Sequence, residues 1–134
     1  MKVVLDTNVV VAALVAEGLC REVLHRGVRL RVLATSRPLM DELEATLKRK
    51  FRITPAAASF LEAFRKQVLL VDPEPLPKPV CRDPDDDLVL ATAVGASATA
   101  IVTGDDDLLV LRNYSGIEIC TPRRFLEQLD AESP

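Results

Sequence analysis

The chain has 134 residues, of which 49% are hydrophobic and 4% aromatic, and its formal net charge is −3. This length predicts one domain, residues 1–134, with a core of Val, Leu and Ala. No apolar run reaches the ~20 residues that a membrane-spanning helix needs. The N-terminus enters a strand without a basic-then-apolar leader, so we expect a cytoplasmic protein that contacts no membrane.

The charges are segregated along the chain. Seven of the 20 acids, all Asp, lie between positions 83 and 107, and eleven of the 17 bases lie between positions 21 and 66. An acidic pole beside a basic flank is typical of a site that binds metal and attracts a polyanion. Solvated helix faces explain such bases equally well.

Cysteine and histidine are sparse. The three cysteines have no paired spacing, and His25 is the single histidine. A zinc site or a catalytic triad is therefore not expected. We interpret Cys20, Cys81 and Cys120 as small buried thiols in a reducing compartment.

The first half of the chain alternates apolar runs with turn-forming residues. Lys2–Asp6 predicts a buried strand, and the apolar run Val9–Val15 follows it. Leu19–Arg26 predicts a short helix ended by Gly27, and Leu30–Ala34 predicts a second strand.

Two longer helices are predicted next. Ser36 can cap the first of them, whose apolar stripe is Leu39, Leu43 and Leu47. Thr54-Pro55 predicts the start of a second helix, and Val68–Val71 can form a strand after that helix ends.

The second half opens with the proline-rich stretch Pro73–Pro79, which cannot be helical and is interpreted as a stiff surface connection. Five elements are predicted after it: a buried helix Leu88–Ala98 opened by Asp87, a strand Ala100–Thr103, a helical turn Asp107–Leu111, a strand Ile117–Ile119 and a helix from Thr121-Pro122. Helices alternating with four or five short strands predict an α/β fold, a three-layer α/β/α sandwich around a parallel sheet.

Four acidic positions are candidates for chemistry. Asp6 and Asp105 lie just after predicted strands, Asp87 lies at a helix start, and Glu42 lies inside a helix. Parallel sheets collect their ligands at strand ends. Oxygen ligands without imidazole or thiolate favour Mg²⁺ or Mn²⁺, which indicates phosphate-ester hydrolysis.

Each position has a structural alternative. Asp6 can form a turn that caps the next helix, and Asp41, Glu42 and Glu44 all fall outside the apolar stripe of their helix. Helix capping and the helix dipole explain two of the acids in the run Asp83–Asp87, but not four. Such a run is self-repelling without a cation.

Taken in order, four segments resemble the PIN-domain nucleases, in particular the toxin branch of bacterial and archaeal toxin–antitoxin systems (VapC-like proteins). The segments are Val3-Val4-Leu5-Asp6-Thr7-Asn8, Thr35-Ser36-Arg37-Pro38-Leu39-Met40-Asp41-Glu42-Leu43, Arg82-Asp83-Pro84-Asp85-Asp86-Asp87-Leu88-Val89-Leu90-Ala91-Thr92-Ala93 and Ile101-Val102-Thr103-Gly104-Asp105-Asp106-Asp107-Leu108.

The resemblance implies an endoribonuclease that hydrolyses RNA phosphodiesters with a metal-activated water, a cognate antitoxin protein as partner, and a homodimer. It implies that Asp6, Glu42, Asp87 and Asp105 are catalytic metal ligands, and that Asn8 and Thr103 support them. Because Asp85, Asp86 and Asp87 are consecutive, the third ligand can shift by one, which makes Asp86 a further candidate; Asp107 is a second candidate beside Asp105. A basic stretch is expected to contact RNA phosphates: Lys48, Arg49, Lys50 and Arg52.

Other classes fit less well. A phosphatase with an aspartyl-phosphate intermediate needs a second Asp at position 8, where this chain has Asn8. A phosphoacceptor receiver domain needs an N-terminal acidic pair and a later lysine, and neither is seen in this chain. A catalytically silent PIN-like module that binds RNA or a protein partner is the main alternative.

Overall fold

Runs of Val, Ile, Leu and Ala form short strands, and longer amphipathic segments form the helices that cover them. A computed structural model describes residues 1–50 and 54–132. The elements in chain order are β1 (Val3–Leu5), α1 (Thr7–Val15), α2 (Leu19–Leu30), β2 (Leu33–Thr35), α3 (Arg37–Lys50), α4 (Pro55–Gln67), β3 (Leu69–Leu70), α5 (Pro84–Gly95), β4 (Ala100–Val102), α6 (Asp106–Leu109), β5 (Asn113–Tyr114), β6 (Ile117–Cys120) and α7 (Pro122–Glu132).

The strands form one sheet in the order β3-β2-β1-β4-β6-β5. All neighbouring pairs are parallel except β5 with β6. Strand β1 lies between β2 and β4, with Val4 opposite Ala34 and Ile101. Consequently the residues that follow β1 and β4 meet at the same edge of the sheet.

Both faces of the sheet are covered, so the predicted α/β/α sandwich is confirmed. Val3 and Leu5 belong to a core with residues of α1, α2, α3, α4 and α7, whereas Val4 belongs to a second core with residues of α5 and α6. Alternate side chains of a strand point to opposite faces, and β1 is buried on both.

The sheet has six strands, although four or five parallel strands were expected. The extra strand, β5, forms an antiparallel hairpin in which Tyr114 pairs with Ile117. Its two loop residues, Ser115 and Gly116, both have positive φ, at 49° and 81°. That combination defines the tight hairpin turns whose twist matches neighbouring strands. A Ser-Gly pair between Tyr and Ile is the sequence signal for this hairpin.

The prediction that Gly27 ends α2 is wrong, because the helix continues to Leu30. The predicted strand Leu30–Ala34 accordingly begins later, at Leu33. A Cβ added at Gly27 would lie 2.6 Å from Cδ2 of Leu33. The glycine therefore permits close packing of α2 on β2 rather than termination of the helix.

Helix α5 begins at Pro84, earlier than the expected start at Asp87. The Asp83 side chain caps it by accepting a hydrogen bond from the Asp85 N–H (2.9 Å). At the other end, a Cβ at Gly95 would lie 2.1 Å from the carbonyl oxygen of Asp72, so the proline-rich connection passes directly against the helix. The earlier start places the run of acids within the first turn of a helix.

Within residues 1–50 and 54–132, no helix is both long and apolar enough to cross a bilayer.

Candidate functional site

Asp6 is fixed at the sheet edge by a hydrogen bond from a neighbouring strand. The Thr103 hydroxyl donates to Asp6 Oδ2 over 2.7 Å, and both residues are buried. The Asp6 side chain makes no N-cap hydrogen bond to α1, although the backbone of Thr7, at the start of that helix, also interacts with its carboxylate. Burial raises the pKa of Asp6, the hydrogen bond from Thr103 and the backbone of Thr7 oppose this rise, and the charge of Asp105 adds to it.

Thr103 connects Asp6 to the second acidic segment. Its Oγ1 accepts a hydrogen bond from the Asp105 N–H (3.0 Å), and Asp105 Oδ1 in turn accepts from the Asp107 N–H (2.9 Å). Asp105 is also the cap of the short helix α6. The path of the chain after β4 is therefore set by the same side chains that surround Asp6.

Three carboxylates converge at this point. Asp86, Asp105 and Asp107 each offer an oxygen, and these oxygens lie within 4.8 Å of one another. Asp86 is 8% exposed. The pKa of Asp86 is raised to about 7. Burial is the largest cause, and the hydrogen bond with Asp105 and the negative charge of Asp105 come next. Burial and the neighbouring carboxylates therefore act together to disfavour the charged form of Asp86.

Asp87, the residue favoured by the sequence, is directed elsewhere. Its Oδ1 accepts a hydrogen bond from the Cys81 N–H (2.8 Å) and its Oδ2 from the Val80 N–H (3.2 Å). Successive residues of an α-helix are rotated by about 100°, so the side chains of Asp86 and Asp87 leave the helix in different directions. The structure places Asp87 at the connection that precedes α5 and brings Asp86 to Asp105.

Glu42 is distinguished from the other acids of α3 by its surroundings. Burial raises the pKa of Glu42, and the charges of Asp85, Asp6 and Asp83 raise it further. Asp41 is exposed and lines a separate hollow of about 190 Å³, and Glu44 forms an ion pair with Arg65 of α4. Glu42 therefore lies close to Asp6 after β1 and to Asp83 and Asp85 at the start of α5.

Helices α3 and α5 are joined beside the acids by two buried hydroxyl groups. Ser36 Oγ and Thr92 Oγ1 lie 2.8 Å apart, and both residues are fully buried. Ser36 Oγ also accepts the Leu39 N–H (3.4 Å), in agreement with its predicted role as a helix cap. This contact fixes the N-terminal part of α3, which carries Glu42, against α5, which carries Asp86.

The remaining predicted residues lie around this centre. Asn8 is exposed on the first turn of α1. Lys48, Arg49 and Lys50 are exposed in the last turn of α3, where cations also stabilise a helix terminus. Arg52 lies outside the described residues.

Two residues near the acids had no predicted role in the site. The Arg82 Nη2 lies 2.9 Å from Asp107 Oδ1, and the thiol of Cys81 is held beside Asp87. Burial raises the pKa of Cys81 to about 12, and the hydrogen bond with Asp87 and the nearby carboxylate charges raise it in the same direction. No spacing in the sequence predicts either position, because both depend on the path of the connection before α5.

Comparison with known proteins identifies the family and the fold of this chain. The PIN domain family matches residues 2–107. A relative of Methanocaldococcus jannaschii, named uncharacterized protein MJ1680, is 28% identical over 97% of this chain and 92% of its own length. The crystal structure of PAE2754 from Pyrobaculum aerophilum superposes with a TM-score of 0.59 at 16% identity, over 98% of this chain and 91% of that chain. At this identity the superposition shows a shared fold.

A parallel sheet with acids gathered at one edge is the arrangement of a nuclease-like α/β domain, and the family match is specific: the chain belongs to the PIN-domain family. Membership of this family indicates nuclease activity and nucleic-acid binding in general, and the acidic cluster is compatible with a divalent metal.

Proposed function

We propose that this protein is a Mg²⁺- or Mn²⁺-dependent endoribonuclease whose site is formed by Asp6, Glu42, Asp86 and Asp105, with Asp107 beside them. The observation that carries the proposal is the convergence of three carboxylates within 4.8 Å. Two of them, Asp105 and Asp107, follow β4, as does Thr103, whose hydroxyl donates to Asp6.

Asp86 takes the position expected of Asp87 in this proposal. The Asp87 oxygens already accept two backbone amides, whereas Asp86 shares a hydrogen bond with Asp105. Of the acids at positions 85 to 87, Asp86 is the one that meets the acids following β4.

The residues fit a hard divalent cation. Carboxylate oxygens are the preferred ligands of Mg²⁺ and Mn²⁺, and the thiol of Cys81, with a pKa of about 12, stays protonated at neutral pH. A cation here would offset both the burial and the repulsion that raise the pKa of Asp86. When bound, it would supply a water of lowered pKa and offset the negative charge of a phosphodiester.

The chain's own residues would orient this chemistry. Thr103 holds one oxygen of Asp6 in place, and Asp105 is fixed through its backbone N–H. Glu42, whose raised pKa favours proton uptake, would accept the proton of the attacking water. The water oxygen would bond to phosphorus as the bond to the leaving oxygen breaks.

RNA would approach across the end of α3. Lys48, Arg49 and Lys50 are exposed there, and Arg49 is close enough to Glu42 for its charge to lower the pKa of that acid. A triple substitution of these residues by Ala should raise KM and weaken the salt dependence of RNA binding. An unchanged KM would restrict the three bases to a role at the helix terminus.

Cleavage of a 5′-labelled RNA with Mg²⁺ or Mn²⁺, and with EDTA, tests the proposal. Asp86→Asn and Glu42→Gln should abolish turnover. The matched controls are Asp106→Asn, which removes one charge from the acidic run after β4, and Asp41→Asn, which removes one charge beside Glu42. Both should retain turnover, because both residues are exposed and outside the carboxylate group. Activity that resists EDTA, or persists in Asp86→Asn, would contradict a metal-dependent site at Asp86. Metal and RNA binding without any cleavage would instead support a silent binding module.

The biological setting extends the same proposal. We propose that the protein acts in the cytoplasm as the toxin of a toxin–antitoxin pair and forms a homodimer. Exposed Val15 and Leu19 at the junction of α1 and α2 support self-association. Expression of the wild type should arrest growth and Asp86→Asn should not, and a cognate antitoxin should relieve the arrest. Sedimentation as a 14.7 kDa monomer at micromolar concentration would contradict the dimer.

A further inference from the structure

Arg82 is a cation held against the carboxylate cluster. In residues 1–50 and 54–132, it is the only Lys or Arg that forms an ion pair with Asp86, Asp105 or Asp107. The pair joins Arg82 Nη2 to Asp107 Oδ1 over 2.9 Å, while the Arg82 side chain remains 87% exposed. The guanidinium therefore contacts the cluster at Asp107 while most of the side chain is open to the solvent from which a polyanion would arrive.

The backbone on both sides of Arg82 is fastened. Immediately before it, the N–H groups of Val80 and Cys81 donate to Asp87. Immediately after it, the Asp83 side chain accepts the Asp85 N–H at the start of α5. An exposed ion pair by itself is weak, so the fixed backbone, rather than the ion pair, determines where Arg82 can reach.

The charges around Arg82 explain why a cation is needed there. Between positions 83 and 107 the chain carries seven Asp residues, and three of them converge on one point. A phosphate that approaches this point is repelled unless positive charge is present. A guanidinium suits the task because its planar fork donates two parallel hydrogen bonds to phosphate oxygens.

We propose that Arg82 neutralises Asp107 in the metal-free protein and, once a divalent cation takes over that carboxylate, turns to bind an RNA phosphate next to the cleaved bond. The phosphate-binding half of this inference rests on the proposed function; the competition between Arg82 and the metal does not. Asp87, which fixes the backbone before Arg82, is then a positioning residue for it.

Two measurements on Arg82→Ala should move in opposite directions. Titration with Mn²⁺ alone, without RNA, should show binding roughly two- to fivefold tighter, because an exposed ion pair that competes for Asp107 is lost. With RNA and saturating Mn²⁺, KM should rise about tenfold with kcat changed by less than about threefold. The logarithmic salt slope of RNA binding should fall by about one unit.

Arg82→Lys and Lys78→Ala complete the experiment. Arg82→Lys keeps the charge without the fork, so its Mn²⁺ affinity should stay near wild type and its KM should lie between those of the wild type and Arg82→Ala. Lys78 is an exposed cation of the same connection, and its removal should change neither value. Unchanged Mn²⁺ affinity and unchanged KM in Arg82→Ala would overturn the proposal, as would weaker Mn²⁺ binding.

RNA cleavage by the wild type distinguishes a failure of this inference from a failure of the proposed function. A wild type that cuts RNA, with Arg82→Ala indistinguishable from it, contradicts the role of Arg82 alone. A wild type that cuts no RNA contradicts the proposed function and the phosphate-binding half together. The Mn²⁺ titration still decides whether Arg82 competes with the metal.

Discussion

Asp86 and Asp87 are neighbours in the chain, but their carboxylates serve different parts of the molecule. Asp86 lies with Asp105 and Asp107 at the edge of the sheet, whereas Asp87 binds the backbone amides of Val80 and Cys81. The rotation between successive helical residues separates them. One of these aspartates thus joins the acidic cluster, and the other holds the connection that precedes the helix.

Substitution of each by Asn should give opposite phenotypes. Asp86→Asn should lose Mn²⁺ binding and leave the metal-free fold intact or more stable, because a repelled charge is removed. Asp87→Asn should bind Mn²⁺ but lose about 1 kcal/mol of unfolding free energy, since the amides of residues 80 and 81 lose a charged acceptor. Calorimetric titration and denaturant unfolding measure both. Equal loss of Mn²⁺ binding in the two variants would show that Asp87 is also a ligand.

Thr103 should control the metal site without contacting the metal. Thr103→Val removes the hydroxyl that donates to Asp6 and accepts from the Asp105 N–H. Loss of a residue that orients ligands typically weakens metal affinity by about 10- to 100-fold, and we expect that range for Mn²⁺. Thr103→Ser, which keeps the hydroxyl, is the control and should lie close to wild type. Equal affinities for the Val and Ser variants would show that the hydroxyl is dispensable.

The metal-free protein should lose stability as the pH rises towards neutrality. The pKa of Asp86 is raised to about 7 in the fold, against ~3.9 in an unfolded chain. The folded form therefore binds more protons in this window, and the contribution of Asp86 to stability, present below pH ~4, is lost as the pH passes about 7.

Thermal melts in EDTA between pH 4 and 8 test this pH dependence. The Tm of Asp86→Asn minus that of the wild type should grow as the pH increases, since the Asn side chain has no charge to bury. A difference that is constant across the range would place the pKa of Asp86 near its ordinary value.

Divalent metal should stabilise the fold by binding the native state. Mn²⁺ at 100 times its Kd adds about 2.7 kcal/mol to the free energy of unfolding, which corresponds to a rise in Tm of roughly 8–12 °C for a domain of this size. Asp105→Asn should remove most of the shift. A wild-type Tm that does not respond to Mn²⁺ or Mg²⁺ would argue against a metal site.

Two glycines should differ in their tolerance of alanine. At Gly95 the added Cβ meets the backbone oxygen of Asp72 at 2.1 Å, whereas at Gly27 it meets the end of the Leu33 side chain. A side chain can shift more easily than backbone, so Gly95→Ala should lower the Tm more than Gly27→Ala. Overpacking of this kind costs about 1–3 kcal/mol. The opposite order would mean that the proline-rich connection moves away from α5 at little cost.

The sequence predicted the order of elements well because hydrophobic periodicity is a local signal. The strands at positions 3–5 and 100–102 and the helix that carries Glu42 all lie where their apolar residues indicate. The Ser115-Gly116 hairpin escaped prediction because strand β5 has only two residues. Gly27 was misinterpreted because a glycine that ends a helix and one that admits a packed strand look alike in sequence.

The site was less predictable, since the sequence does not give the direction of each side chain in a run of acids. The family resemblance made Asp87 the third acid, with Asp86 as a lesser candidate, and the structure brings Asp86 to Asp105 and Asp107. The preference for Glu42 over Asp41 and Glu44 could come only from the family resemblance, because all three lie off the apolar stripe. Arg82 required the fold of the connection, which composition does not describe.

The hydrogen bond between Asp6 and Thr103 spans 97 positions of the chain. On the ribosome β1 is made well before its central neighbour β4 and the acids that follow β4. A nascent molecule therefore carries Asp6 without its partner Thr103 until at least 97 further residues have been added. This order of synthesis delays assembly of the acidic cluster until β4 has joined the sheet.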